Sequence, residues 1–236
     1  MNLKYLTFTG ADDTFDPSSM SKLSNLYSFI EWGILVSKKQ EDTPRFPSKE
    51  WIGKLVAEKE SNPSMKLSLH LCGRWLRDLL IGEFTFPHDH LWEACDRVQL
   101  NFHREPLTVD KDKFFEQLER FPEKEFIFQI EELNDNLFEE AKARGINAVP
   151  LFDTSGGAGI VPEIWPEPYD DVVNGYAGGL GPDNLGPMLT AIESVVKDRL
   201  VSVDMETKIR SDDGTILSLY KIEQCIRIVN EWTRNR

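Results

Sequence analysis

The sequence predicts one α/β domain, an eight-stranded (β/α)8 TIM barrel. Three observations carry this. Short apolar runs alternate with amphipathic, helix-like stretches along the 236 residues, the pattern of parallel strands joined by crossover helices. The strand-like runs are apolar on both faces, as strands are when helices cover the outside of a sheet. Three consecutive runs, ending at Asp153, at Gly178-Gly179 and at Asp204-Met205-Glu206, stop on an acid or a glycine pair. In α/β barrels the carboxyl ends of the strands carry the chemistry, and one such barrel takes about 250 residues, so residues 1–236 read as a single domain.

The elements follow in order. Strand one is placed at 4–9, and a short helix at 19–27 with Ser18 or Ser19 near its cap. Strand two is 29–37, followed by a polar loop to Pro47. Ser48 is an N-cap for a helix over 49–61, whose apolar face is Trp51, Leu55 and Val56. Strand three is 65–72; Gly73 precedes a helix over 74–81, and a further helical piece covers 88–95. Strand four is 97–102, and the helix over 110–121 is closed by Pro122. Strand five is 125–130, and the helix over 137–144 ends on Gly145, suited to a left-handed C′ position. Strand six is 148–153, followed by a Gly- and Pro-rich loop, 155–168, with room for a short helix or none. Strand seven is 174–178, and Pro182 stands at the entrance of a helix over 183–197. Strand eight is 200–206, and a last helix runs over about 218–232 with Leu219, Ile222, Ile226 and Val229 on one face.

The formal net charge is -13, which disfavours a nucleic-acid footprint. An acidic chain can still hold an anion on backbone N–H groups at a helix N-terminus. Cys72, Cys95 and Cys225 are scattered rather than arranged as a disulfide framework, which suggests a reducing compartment. No apolar run approaches the roughly 20 residues of a membrane span, and no signal-peptide pattern precedes strand one. The expectation is a soluble, cytoplasmic protein.

The candidate residues sit at strand ends. Asp153 ends strand six, where a carboxyl would act as general acid or base; a loop cap is its structural alternative. Gly178 and Gly179 end strand seven, where backbone can approach a ligand closely; a tight turn is the alternative. Phosphate sites in barrels are often built after strands seven and eight. Asp204 and Glu206 lie two apart and share a face of strand eight, with Lys208 and Arg210 following near any phosphate; an internal salt bridge is the alternative.

His70 and Cys72 end strand three and His103 closes strand four. They lack a recognised zinc spacing, so no metal or other cofactor is expected. His70 is instead a candidate for hydrogen-bonding or acid/base work, with a packed polar residue as the alternative. His88-Asp89-His90 reads as a solvated helix start on the amino-terminal, stability side of the barrel. Asp12 and Asp13 follow strand one, either as a base at the mouth or as caps. Arg45, in the loop after strand two, is placed to clamp a substrate carboxylate.

These motifs together resemble phosphoribosylanthranilate isomerase, a family of the ribulose-phosphate-binding kind of barrel. The strand-six segment Leu151-Phe152-Asp153-Thr154-Ser155-Gly156-Gly157-Ala158-Gly159 is similar to that family's apolar run, Asp and Gly-Gly loop. So are Ala177-Gly178-Gly179-Leu180 with Pro182-Asp183-Asn184, Val203-Asp204, Val98-Gln99-Leu100-Asn101, and Thr43-Pro44-Arg45. The resemblance implies an acid/base rearrangement of an aminoaldose phosphate. It makes Asp153 the acid and adds Asn101, Gly156 and Gly157 to the substrate-binding positions.

Two positions depart from the family. Its base is a Cys at the end of strand one, whereas Thr9-Gly10 stands here and threonine has no accessible pKa for that work. Asp12 or Asp13 are the candidates to replace it. On strand eight, Glu206 adds negative charge where a phosphate oxygen would sit, with Lys208 and Arg210 to offset it.

The reading is an isomerase-like barrel enzyme acting on a sugar phosphate or a similar small polar metabolite by acid/base chemistry. A lyase or hydrolase using the same mouth residues, and a non-catalytic small-molecule-binding protein, are the alternatives. The expected partner is a small molecule, with or without phosphate, and neither nucleic acid nor membrane; oligomeric state stays open.

Overall fold

The computed structural model describes residues 1–86, 88–102, 108–130, 135–153 and 159–234. Eight parallel strands close a barrel in chain order: β1 Asn2–Thr9, β2 Ile30–Val36, β3 Lys66–Leu71, β4 Arg97–Leu100, β5 Glu125–Ile130, β6 Ala148–Phe152, β7 Asn174–Ala177 and β8 Leu200–Met205. β8 returns to β1 with Leu6 beside Val203 and Thr7 beside Asp204, which leaves the sheet without an edge.

Eight α-helices stand among the described residues: α1 Pro17–Leu26, α2 Lys49–Ser61, α3 Arg74–Leu80, α4 Asp89–Ala94, α5 Lys111–Glu119, α6 Asp135–Ala143, α7 Leu185–Val196 and α8 Leu219–Arg234. They are not one per strand. α3 and α4 both lie between β3 and β4, and the described residues between β6 and β7, 159–173, contain no helix. α1 begins two residues earlier than the Ser18 or Ser19 cap implies. Asp16 is the N-cap, accepting from the Ser18 N–H, and Pro17 takes the first helical position, where its missing N–H costs nothing. For α2, Ser48 caps as expected, accepting from Trp51 N–H.

Alternation along the strands builds two cores. The larger joins the outward strand residues to the helices and includes Phe8, Trp32, Phe128, Tyr176 and Val203. A smaller cluster, Ile127, Val149, Leu151, Val173 and Ala177, lies around β5 to β7. The amino-terminal end of the barrel holds an ion network, with Arg97 donating to Glu31 at 2.8 Å and to Glu125 at 2.5 Å. Thr7 Oγ1 adds a donor to Glu31 at 2.8 Å. Arg97 and Glu31 are buried, Glu125 is half-buried, and the charges are paired with one another, which fits the stability role of that face. No helix among the described residues is long and apolar enough to cross a membrane.

Candidate functional site at the barrel mouth

At the carboxyl ends of the strands the barrel opens into a cavity of about 460 Å³. Strand ends supply most of its wall: Thr9, His70, Cys72, Gln99, Asn101, Gln129, Leu151, Asp153, Asp204 and Glu206. The loop after β2 supplies Gln40 and Thr43 to Phe46. Side chains two apart on one strand share a face, which is why His70 with Cys72, Gln99 with Asn101, and Asp204 with Glu206 enter the wall as pairs.

Asp204 is the anchored carboxyl. Thr9 Oγ1 donates to its Oδ1 at 2.6 Å. Burial, with Glu206, Glu31 and Asp153 adding like charge, pushes its pKa up to about 8, against the lowering effect of the Thr9 hydrogen bond. Glu206 is also raised by burial, and Arg45 offsets part of that by donating from Nη1 to Oε1 at 2.6 Å. Asp153 is buried, and Gln129 Nε2 donates to its Oδ2 at 3.3 Å.

The opposite wall is neutral. His70 is fully enclosed, its Nε2 hydrogen-bonded with Ser68 Oγ at 3.0 Å and its Nδ1 without a partner. Burial, with a smaller contribution from Arg97, lowers its pKa to about 3, so the imidazole stays uncharged at neutral pH. Cys72 Sγ accepts from Asn101 Nδ2 at 3.1 Å, and burial pushes its thiol up to about 12, which makes it unreactive near pH 7. Asn101 in turn accepts from Gln99 Nε2 at 2.7 Å.

Several expected site residues are elsewhere. Asp12 does not line the cavity: Oδ2 accepts from Arg45 N–H and Arg210 Nη2, each at 2.6 Å, and Oδ1 accepts from Thr14. Asp13 is taken up by Ser48, whose N–H and Oγ both donate to it. Both follow Gly10, past the end of β1, and tie loops together. Arg210 is buried and donates to Gly10 O, Gly214 O and Thr215 O besides Asp12, which leaves it unavailable to a phosphate. Lys208 lies exposed on a 3-10 turn, Thr207–Ile209.

Gly178 and Gly179 serve the backbone of the neighbouring loop. A Cβ on Gly179 would meet Gly159 O at 2.4 Å, and one on Gly178 would meet Ile160 O at 2.9 Å. The chamber beside them, about 50 Å³, is lined also by Asp153, Asp204, Glu206 and Lys208. Asn184 caps this turn rather than α7, accepting from Gly181 N–H at 3.0 Å and donating to Gly179 O at 3.0 Å. His103, Gly156 and Gly157 lie outside the described residues.

His88 is not at the amino-terminal face. It lines a separate cavity of about 100 Å³ with Val36, Ser37, Lys38 and Trp75. A helix that leads into a strand runs antiparallel to it, so the start of α4 stands level with the carboxyl ends.

The barrel is the shared property with known structures. No protein-family model matches the sequence, and no curated protein does. Among solved structures the chain is similar to phosphoribosylanthranilate isomerase from Thermotoga maritima, at 16% identity and TM-score 0.55, covering 98% of this chain and 99% of that one. It is similar to a putative spore coat polysaccharide biosynthesis protein E from Chromobacterium violaceum, at 11% identity and TM-score 0.59, covering 98% and 75%. It is also similar to phospho-2-dehydro-3-deoxyheptonate aldolase from Thermotoga maritima, at 12% identity and TM-score 0.56, covering 99% and 68%. At these identities the likeness shows the fold alone, because one barrel scaffold hosts many chemistries.

Proposed function

We propose that this chain is an acid/base enzyme of isomerase type that acts on a small polar metabolite at the barrel mouth. The observation that carries the reading is Asp204. It lines the same cavity as Asp153, is held by Thr9 at 2.6 Å, and its pKa of about 8 keeps it protonated at neutral pH. A carboxylic acid protonated near pH 7 is a proton donor at the working pH, and a second carboxyl in the same cavity supplies the complementary group.

In this scheme Asp204 protonates an oxygen of the substrate. Asp153, oriented by Gln129, removes a proton from the neighbouring carbon. Asp153 then delivers that proton to the carbon bearing the newly protonated oxygen, while the Asp204 carboxylate takes the hydroxyl proton from the carbon that lost its hydrogen, which becomes the carbonyl, so no proton is gained or lost overall. Where the resembled family uses a thiol on β1, Thr9 instead positions a carboxyl from β8. Solved barrels of similar shape include an isomerase and an aldolase, which supports an enzyme of this fold. The phosphate of a sugar phosphate gains less support, since the ends of β7 and β8 present Asp204 and Glu206.

The test is exchange of carbon-bound hydrogen from D2O, followed by NMR across aldoses, ketoses, amino sugars and their phosphates. Exchange in the wild type that falls by roughly 100-fold or more in Asp153→Asn and Asp204→Asn, with the fold retained, is the expected result. Equal exchange in wild type and both variants would sink the assignment of these two carboxyls, and no exchange with any of these compounds would leave a binding protein.

A further inference from the structure

Carboxamides line one side of the cavity: Gln99 on β4, Asn101 just past it and Gln129 on β5. Gln99 and Gln129 are only 6% and 5% exposed. Each spends an N–H within the wall, Gln99 toward Asn101 at 2.7 Å and Gln129 toward Asp153 at 3.3 Å. Their Oε1 atoms accept no hydrogen bond among the described residues. Nor are these oxygens sealed in, since the enclosed side-chain atoms without a partner are His70 Nδ1, Trp92 Nε1 and Arg97 Nη2. Two acceptors on side chains more than nine-tenths buried therefore open onto the cavity with no group of the chain to bond.

The groups around them share one chemical character. A carboxamide donates and accepts, and so does a hydroxyl such as that of Thr9. Asp204, protonated at neutral pH, joins them as both donor and acceptor. A ligand hydroxyl can satisfy both halves of such a group. An ammonium uses only the acceptors, and a phosphate dianion uses only the donors.

The place for a phosphate is already taken. In barrels it lies in the loops after strands seven and eight. Here Glu206 lines that chamber, and its carboxylate is bound by Arg45 at 2.6 Å. The turn after β7 uses its N–H groups internally: Gly181 donates to Asn184 Oδ1 at 3.0 Å, and Asn184 and Leu185 donate to Gly181 O at 3.1 and 2.9 Å. Pro182 and Pro187 have no N–H to offer. Lys208, the cation lining the chamber, is exposed at its rim.

We infer that the substrate is an uncharged polyhydroxy compound, a sugar or polyol without phosphate, whose hydroxyls are read by Gln99 and Gln129, and that the Arg45–Glu206 pair fills the place a phosphate would take. The inference rests on the acid/base reading above and names its substrate class.

The probes are three matched pairs, ribulose, fructose and glucose with ribulose 5-phosphate, fructose 6-phosphate and glucose 6-phosphate, titrated calorimetrically at pH 7. At least one sugar is expected to bind the wild type about tenfold or more tighter than its phosphate, because the added anion meets Glu206. Its own affinity is expected to be insensitive to salt, and to fall roughly tenfold in Gln99→Leu and in Gln129→Leu. Glu206→Ala, which frees Arg45, is expected to narrow the gap between sugar and phosphate several-fold. A phosphate that binds the wild type as tightly as its parent sugar overturns the inference. So does sugar binding that neither glutamine variant weakens, or no binding by any of the six compounds. Exchange of carbon-bound hydrogen from D2O, measured on the compound that binds, separates the two readings. A phosphate that binds best and exchanges through Asp153 and Asp204 removes this substrate class and leaves the acid/base reading standing. A sugar that binds best and does not exchange leaves the class standing and removes the chemistry.

Discussion

Thr9 Oγ1 stands 2.6 Å from Asp204 Oδ1, across the seam where β8 closes onto β1. The hydroxyl favours the charged carboxylate and works against burial, which is the larger effect. Thr9→Val keeps the shape and removes the donor. A hydrogen bond to a charged group contributes about 1.5–3 kcal/mol, so Asp204 should titrate about one unit or more higher in the variant. Carbon-13 NMR of the side-chain carboxyl reads this directly. An unmoved titration would mean that Thr9 does not control Asp204.

The same group sets a pH dependence of stability. The folded pKa of Asp204, about 8, lies above the ordinary value of 3.8, so the native state holds a proton that the unfolded chain releases. This contribution is fully present below about pH 4 and is lost as pH rises toward 8, at up to about 1.4 kcal/mol per pH unit. His70 acts in the opposite sense: its folded pKa, about 3, lies below 6.5, so stability is lost as pH falls from 6.5 toward 3. Asp204→Asn cannot titrate. Urea unfolding at pH 5, 6, 7 and 8 should show the variant gaining steadily on the wild type. A constant difference would refute the elevated pKa.

The barrel was legible in the sequence because every strand is a short apolar run and the period changes at each helix. β5 and α2 match their expected limits, 125–130 and 49–61. The mouth was partly legible: strand ends Asp153, Asp204, Glu206, His70 and Asn101, and Arg45 from a loop, all line the cavity. Asp12 and Asp13 were open between the two readings because acids just past a strand end look alike in sequence whether they face the mouth or tie down a loop. Only their hydrogen bonds to Arg45, Arg210 and Ser48 separate the two cases. Gln99 and Gln129 were missed although each occupies an inward position, Gln99 two residues before Asn101. Neutral amides give no charge pattern to read. The pairing of Thr9 with Asp204 spans 195 positions of sequence, and only barrel closure brings them together.

Gly179 gives a test of the close approach at the end of β7. Its φ is +58°, and an added Cβ would sit 2.4 Å from Gly159 O, a backbone atom that cannot swing aside. Gly145 has φ +76° but nothing within 4 Å of a Cβ. Gly145→Ala should therefore cost only the left-handed backbone penalty, about 1 kcal/mol. Gly179→Ala should cost that and the displacement of the 159–161 backbone, about 2–4 kcal/mol in all. Equal losses in urea unfolding would show that the two backbones do not meet.

Asp12 and Asp153 test the structural role of one acid against the chemical role proposed for the other. Burial pushes the Asp12 carboxyl up, but hydrogen bonds from Thr14, the Arg45 backbone and Arg210 outweigh it and hold its pKa below the ordinary range. Its stabilisation is therefore present at neutral pH and lost as pH falls through that lowered value. Arg210, fully buried, has Asp12 as its ion-pair partner at 2.6 Å. Asp12→Ala strands that guanidinium, which costs about 3–5 kcal/mol, or roughly 10 °C in Tm for a chain of this size. Asp153→Asn preserves the carbonyl oxygen toward Gln129 and should change Tm by only a few degrees while hydrogen exchange into substrate falls by about 100-fold or more. The diagnostic is the crossing of the two effects. Asp12→Ala protein that remains folded at low temperature should retain turnover per folded molecule, and Asp153→Asn should not. If Asp12→Ala instead loses turnover at unchanged Tm, the base lies on the loop after β1 and the roles assigned to Asp153 and Asp204 are wrong.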